Sequence, residues 1–190
     1  MHRLFAAIRP PAEVRGTLLS LMHGIAGARW QSDDQIHLTL RFIGEVDGRC
    51  AEDLAILLST IRFTPFTIAL AGLGSFERKG RAETIWAAVQ PREPLTQLHQ
   101  KIDRACRQVG LKPDERAYLP HITLARLNRS TGPIEPFMAH NAGLVSPPFA
   151  VDGFGLFESQ LTAAGAHYDL AATYHADGRP PELSEPGDWD

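Results

Sequence analysis

Two histidines and two threonines recur in one pattern: His37-Leu38-Thr39-Leu40 and His121-Ile122-Thr123-Leu124. In an extended strand successive side chains point to opposite faces. His37 and Thr39 then share one face while Leu38 and Leu40 share the other, and His121 with Thr123 stand likewise against Ile122 and Leu124. Each copy predicts a strand with an apolar back and a front carrying one imidazole and one hydroxyl. A single His-x-Thr arises by chance with an expectation of about one half, whereas the full pattern twice arises roughly once in a thousand. A neutral imidazole can take a proton from water, and a protonated one can give its proton to a leaving alkoxide. A hydroxyl beside it can donate to a phosphoryl oxygen. Two such fronts around one phosphorus suit in-line displacement, one histidine serving each side.

Other chemistries fit less well. Two histidines are too few for zinc, which takes three or more protein ligands. No carboxylate stands on either motif face, where Arg41 follows Thr39 on the front. No metal or cofactor is expected. The chain also lacks a Gly-x-Ser-x-Gly elbow, a P-loop and a dinucleotide fingerprint. Arg126 follows the second motif in HITLAR. Regular alternation would send it to the apolar face, so only a bend or bulge would bring it to the front. Arg41, Phe42 and Phe76 are candidate substrate contacts, the two rings as surfaces on which a base could stack. Phe42 also fits the core, as do Trp30 and Trp86. The run Arg78-Lys79-Gly80-Arg81 is a local basic patch of the kind a nucleic-acid strand needs. His2, His23, His99, His140, His167 and His175 have no Thr two residues on and read as structural or surface groups.

The elements that must carry these residues alternate along the chain. Arg3 to Ile8 reads as a strand, ended by Pro10-Pro11, and a helix follows as far as Gly24. Ile36 to Ile43 is the first motif strand, and a helix spans about Arg49 to Ile61. Phe66 to Leu70 is a strand, and the glycines at 72, 74 and 80 predict a loop around Ser75 to Arg81. Thr84 to Val89 is a strand, Leu95 to Val109 a helix, and His121 to Leu127 the second motif strand. A proline-rich loop stretch precedes two last strands, Phe149 to Glu158 and His167 to Tyr174. Each half runs strand, helix, motif strand, which points to an internal repeat with one motif per lobe. The 190 residues, 44% hydrophobic and 22% charged, suit one compact domain over residues 1–175. Residues 176–190, rich in proline and acidic groups, are expected to be a disordered tail. The net charge of −3 excludes a globally basic coat protein, so a polyanion must be held by local cations. Cys50 and Cys106 have no metal-like spacing and read as reduced thiols. The start lacks the apolar run of a signal peptide, and no run approaches a membrane span. A cytoplasmic monomer without membrane contact is expected.

Paired motifs of this kind in a chain near this length resemble the 2H phosphoesterase superfamily. More closely, RLFAAIRPP, HLTLRFIGEV, TIWAAV, PHITLAR and FGLFESQL are similar to the RNA 2′,3′-cyclic phosphodiesterases, also termed 2′-5′ RNA ligase-like proteins. That resemblance implies an α+β fold of two pseudo-two-fold-related lobes, with mostly antiparallel sheets lining a central cleft and helices outside. It implies metal-free hydrolysis of a terminal RNA 2′,3′-cyclic phosphate to a 2′-phosphate, with RNA ends or nucleotides of that kind as partners. It makes His37 the proton donor, His121 the proton acceptor, and Thr39, Thr123 and Arg126 the phosphate contacts. The alternatives are a 2′-5′ RNA ligase, a phosphodiesterase on small cyclic nucleotides or 2′-5′ oligonucleotides, and a non-catalytic module that binds RNA ends.

Overall fold

Prolines and glycines set most of the element boundaries. The computed structural model describes residues 1–162 and 165–183. Strand β1 (His2–Ile8) stops before Pro10-Pro11, and helix α1 (Ala12–Leu21) starts directly after Pro11. Proline has no N–H to offer a ladder, yet it suits a helix start. Strand β2 (Arg29–Trp30) and a 3-10 turn (Asp33–Gln35) lead to β3 (Leu38–Val46). Helix α2 (Gly48–Ser59) is capped by Asp47, whose carboxylate accepts the Cys50 N–H. Then come β4 (Phe66–Arg78), β5 (Arg81–Gln90), α3 (Glu93–Gln108), β6 (His121–Arg126) and α4 (Glu135–His140). Strands β7 (Phe149–Val151), β8 (Gly153–Thr162), β9 (Gly165–His175) and β10 (Glu182–Leu183) complete the described chain.

The strands follow the order β10-β9-β8-β1-β3-β6-β5-β4-β7, with β2 beside β6. Every pairing is antiparallel. The fold is the expected α+β class, a curled sheet with helices against its apolar side. Units β1-α1-β3-α2 and β5-α3-β6-α4 repeat one plan. Where they meet, Leu38 pairs with Ile122, the same position of the two motifs. An antiparallel pair of equivalent residues defines a local two-fold axis. The backs of both motifs are in the core, with Leu38, Leu40, Ile122 and Leu124 each at most 1% exposed. Burying side chains of that size stabilises by roughly 1.5–3 kcal/mol each. They share one cluster with Leu18, Leu54, Leu98 and Ile102 from the helices.

Several expectations need correction. The glycine-rich stretch after Leu70 is strand, because β4 runs on to Arg78. Gly72, at φ 91, sits in a register shift between Leu70 and Leu73, and Gly74 gives its side-chain space to the Trp86 ring. Glycine there permits a bulge and a close approach. The Phe149–Glu158 strand is two strands on opposite flanks of the sheet, β7 beside β4 and β8 beside β1. Helix α4 lies in the expected loop stretch, since Pro136 occupies its first turn, where proline is tolerated. In the expected tail, Ala176 is buried and Glu182–Leu183 pairs with β9, while residues 184–190 lie outside those described. No helix is long and apolar enough to cross a membrane.

Candidate active site

Pairing of Leu38 with Ile122 sets the geometry of the front face. Side chains flanking that pair point away from the core, so His37, Thr39, His121 and Thr123 converge on one patch. Strand geometry puts such diagonal neighbours roughly 7–8 Å apart. Each histidine is anchored two residues back. His37 Nδ1–H donates to the Gln35 carbonyl at 2.8 Å, and His121 Nδ1–H donates to the Leu119 carbonyl at 2.7 Å. A carbonyl only accepts, so Nδ1 carries the proton and Nε2 is left for the cleft.

Both anchors are themselves held. Gln35 closes the 3-10 turn, its side chain donating to the Ala166 carbonyl at 2.8 Å. Asp33 in that turn receives Arg15 at 2.8 Å and Arg9 at 2.9 Å. Hydrogen bonding from Arg15 holds the Asp33 carboxyl below its usual range. The segment before His121 is tied to α3 and β3. Asp103 accepts the Asp114 N–H at 3.1 Å, and Tyr118 donates to the Thr39 carbonyl at 3.1 Å. The Tyr118 ring stacks on His99 at 4.2 Å.

The two imidazoles differ in their surroundings. His37 packs against Phe5 at 4.9 Å and the edge of Tyr168 at 5.3 Å, beside the small apolar cluster of Phe5, Ala7 and Phe157. Burial pushes His37 down to about 4; the Gln35 carbonyl opposes this, and the charges of His121, Arg126 and Arg9 add to it. His121 meets the edge of Phe76 at 4.9 Å and Trp86 at 5.9 Å. Burial lowers His121 too, with Arg126 adding to the effect and the Leu119 carbonyl opposing it.

Arg126 reaches this face through a bulge. Ile85 pairs with Ala125 but Trp86 pairs with Thr123, so Leu124 is an extra residue in β6. Arg126 then lies opposite Thr84, on the side of Trp86 and Thr123. The first motif has the same device. Ala7 pairs with Thr39 and Ala6 with Arg41, leaving Leu40 extra. There the bulge removes Arg41 from the front, against the alternation expected. Its guanidinium is buried instead, donating to Asp103 at 2.9 Å and to the Lys112 carbonyl at 2.7 Å, with the Phe42 carbonyl as a third acceptor. The Leu40 carbonyl accepts from His99 Nδ1 at 2.6 Å. Both bulges place the fifth residue after the histidine on the front: Phe42 in one half, Arg126 in the other. Phe42, 47% exposed, lies above Phe5.

Phe42 and Phe76 line one recess of about 370 Å³ together with Thr39, Arg41, Arg116, Tyr118 and His121. Phe5, Trp86 and Tyr168 are front-face residues that sequence reasoning missed. Alternation with Thr84 could have flagged Trp86, while Tyr168 arrives from a strand more than a hundred residues away. Trp30 is partly buried against the core and beside Phe137, as expected. Among the described residues no group of three or more His, Cys, Asp or Glu converges as a metal site.

Comparison with known proteins gives the family and the overall fold. Residues 26–162 match the family model of the 2′-5′ RNA ligase superfamily. A Geobacillus stearothermophilus protein named RNA 2′,3′-cyclic phosphodiesterase is 28% identical over 75% of this chain; the match spans 46% of that protein, about half its length. A Thermotoga maritima protein of the same name is 30% identical, covering 88% of this chain and 92% of its own. The crystal structure of Escherichia coli LigT complexed with 3′-AMP superposes with a TM-score of 0.73 at 28% identity, covering 92% of this chain and 96% of that one.

Proposed function

The chain belongs to the 2′-5′ RNA ligase superfamily, and from that we propose that it is an RNA 2′,3′-cyclic phosphodiesterase yielding a 2′-phosphate. The observation that carries this is the symmetric pair of anchored imidazoles, each with its threonine, across the Leu38–Ile122 pair. Relatives of the same name support the substrate class. In this reading His121 Nε2 takes a proton from water as its oxygen bonds to phosphorus. The bond from phosphorus to the 3′ oxygen breaks, and His37 gives that oxygen its proton. Water exchange returns both histidines to their starting states. Thr39, Thr123 and Arg126 hold the equatorial oxygens, whose charge a guanidinium and hydroxyls balance. Phe42 and Phe76 flank a space for the terminal nucleoside, and the 3′-AMP complex of LigT supports nucleotide binding to this fold. The buried guanidinium of Arg41, already paired with Asp103, holds the strand rather than the substrate. The chemistry needs no metal.

The same reading places the protein in the cytoplasm as a monomer. Two unpaired cysteines support the first, and a cleft complete within one chain supports the second. The deciding experiment is turnover of an RNA ending in a 2′,3′-cyclic phosphate with excess EDTA, the product identified by mass spectrometry and phosphatase mapping. A 2′-phosphate formed at an undiminished rate is expected. Loss of turnover in chelator, or a 3′-phosphate product, refutes the mechanism; tight binding without turnover makes the protein an RNA-end binder.

A further inference from the structure

Beyond the cleft, the cations near the histidine anchors and those at the β4–β5 turn differ in their partners. Those near the histidine anchors are engaged: Arg9 and Arg15 on Asp33, and Arg41 on Asp103. At the β4–β5 turn they are not. Arg78, Lys79 and Arg81, with Arg129 facing them, line one recess of about 350 Å³. None of these four side chains has an ion-pair or hydrogen-bond partner among the described residues. Glu83 lines the same recess and Glu77 lies beside it in sequence, and neither forms an ion pair with the four, so the cations outnumber the carboxylates there four to two. In a chain of net charge −3 such a local excess of positive charge is a departure from the whole.

The strand pattern connects this patch to the active site. Gly74, Phe76 and Arg78 alternate onto one face of β4, and the Phe76 ring touches His121, so that face is the cleft's. Arg81 pairs with Arg78 and shares the face, whereas Glu77 points to the other. Arg126 stands on the same face at the level of Thr84, between the histidines and the turn. Arg81 is roughly 13–16 Å along β5 from Trp86, at ~3.3 Å per residue with Glu83 as an extra residue in the register. A mononucleotide held at the histidines does not extend that far, but a polynucleotide does.

The turn itself shows a residue out of its conformational preference. Lys79 and Gly80 form a two-residue loop with φ of 52° and 73°. Positive φ at both positions is the type I′ turn that matches strand twist, where Asn, Asp and Gly are favoured. A lysine in the left-handed region is strained by ~1–2 kcal/mol. Here the strained position carries a cation at the tip of the patch.

We propose that this turn, with Arg129 across the recess, is a track for the phosphodiester groups of an RNA strand on the 5′ side of the terminal nucleotide. It makes an RNA end a better substrate than a free cyclic mononucleotide. The inference rests on the phosphodiesterase reading above, and its test separates the two. KM is measured for a short RNA oligonucleotide ending in a 2′,3′-cyclic phosphate and for 2′,3′-cyclic AMP, using wild type and the Arg78→Glu/Arg81→Glu variant across a salt series. The variant's KM for RNA should rise ~10-fold or more against its KM for cyclic AMP. Its salt slope for RNA should fall by about 1.4, at ~0.7 per lost single-strand phosphate contact. Lys79→Asn relieves the turn, so its Tm should hold or rise while the KM for RNA increases ~2-fold. Equal shifts for both substrates, or none, overturn the track. If wild type hydrolyses neither substrate, the reading of the cleft falls instead. Fluorescence polarisation with 2′-phosphate-ended RNA then decides the track: weaker binding by the variant upholds it, and equal affinities overturn it.

Discussion

His37 and His121 share an anchor and differ in environment, and their pH behaviour follows from both. His37 is held near 4, against an ordinary 6.5, so keeping it protonated in the free protein costs about 3 kcal/mol. A phosphate anion ~4 Å away contributes about 4 kcal/mol at the effective dielectric of a partly open site. In the proposed reaction, substrate would therefore supply the charge that lets His37 serve as the acid. The pH profile of kcat should accordingly keep its alkaline limb to higher pH than that of kcat/KM, since the first reports the complex and the second the free enzyme. Coincident limbs, with chemistry rate-limiting, would contradict a substrate-induced acid. His37→Ala or His121→Ala should each lower kcat by about 10²–10⁴, read by single-turnover kinetics. The stability effect has a definite sign. A folded His37 that resists protonation leaves the unfolded chain binding more protons between pH 6.5 and about 4. Its contribution is full above 6.5 and lost as pH falls toward 4. Urea midpoints across that window should slope less in His37→Ala than in wild type.

At the scale of elements, the two bulges decide what two similar arginines do. Both follow a His-x-Thr-Leu motif, and each motif strand carries an extra residue directly after its threonine. At Leu40 the extra residue turns Arg41 to Asp103 and lets Phe42 take the front. At Leu124 it turns Arg126 to the front. Arg41→Ala leaves Asp103, 15% exposed at its side chain, without its main partner. That should cost about 3–5 kcal/mol in stability, measured by urea denaturation. Arg126→Ala should leave the urea midpoint within ~0.5 kcal/mol of wild type, as an exposed substitution does, and lower kcat/KM on a cyclic-ended RNA. The reverse assignment, Arg126 structural and Arg41 kinetic, would refute the bulge geometry. The Tyr118–Thr39 and His99–Leu40 bonds belong to the same scale. They tie the segment before His121 to the bulge after His37, so each half braces the other's motif.

For the whole molecule, the junction of the halves matters most. β3 and β6 share one paired position, Leu38 with Ile122. Side chains, not backbone ladder, do most of the joining, because a single buried cluster spans both halves. The chain should therefore unfold in one transition, with far-ultraviolet and near-ultraviolet circular dichroism coinciding. Two separable transitions would show that the halves are independent. Leu38→Ala should cost about 2–5 kcal/mol and lower activity out of proportion to the fraction unfolded, since the same residue sets the spacing of both histidines.

Much of this site was legible because strand alternation is local. His37, Thr39, His121 and Thr123 had to share faces once their neighbours were buried, and the repeated motif placed one set in each half. Periodicity also showed that Arg126 needed a bulge to reach the cleft. What the sequence could not supply depends on pairing between distant segments. A bulge is defined by two strands, so the fate of Arg41 was hidden in β1 and α3. The glycines after Leu70 read as a loop because local preference does not register that Trp86 needs room over Gly74. Tyr168 and Phe5 reach His37 only through the order of strands in the sheet. The residue types of this protein therefore specify two imidazoles and two hydroxyls on strand faces. Tertiary structure alone brings them together, makes their surroundings unequal, and sets which arginine faces them.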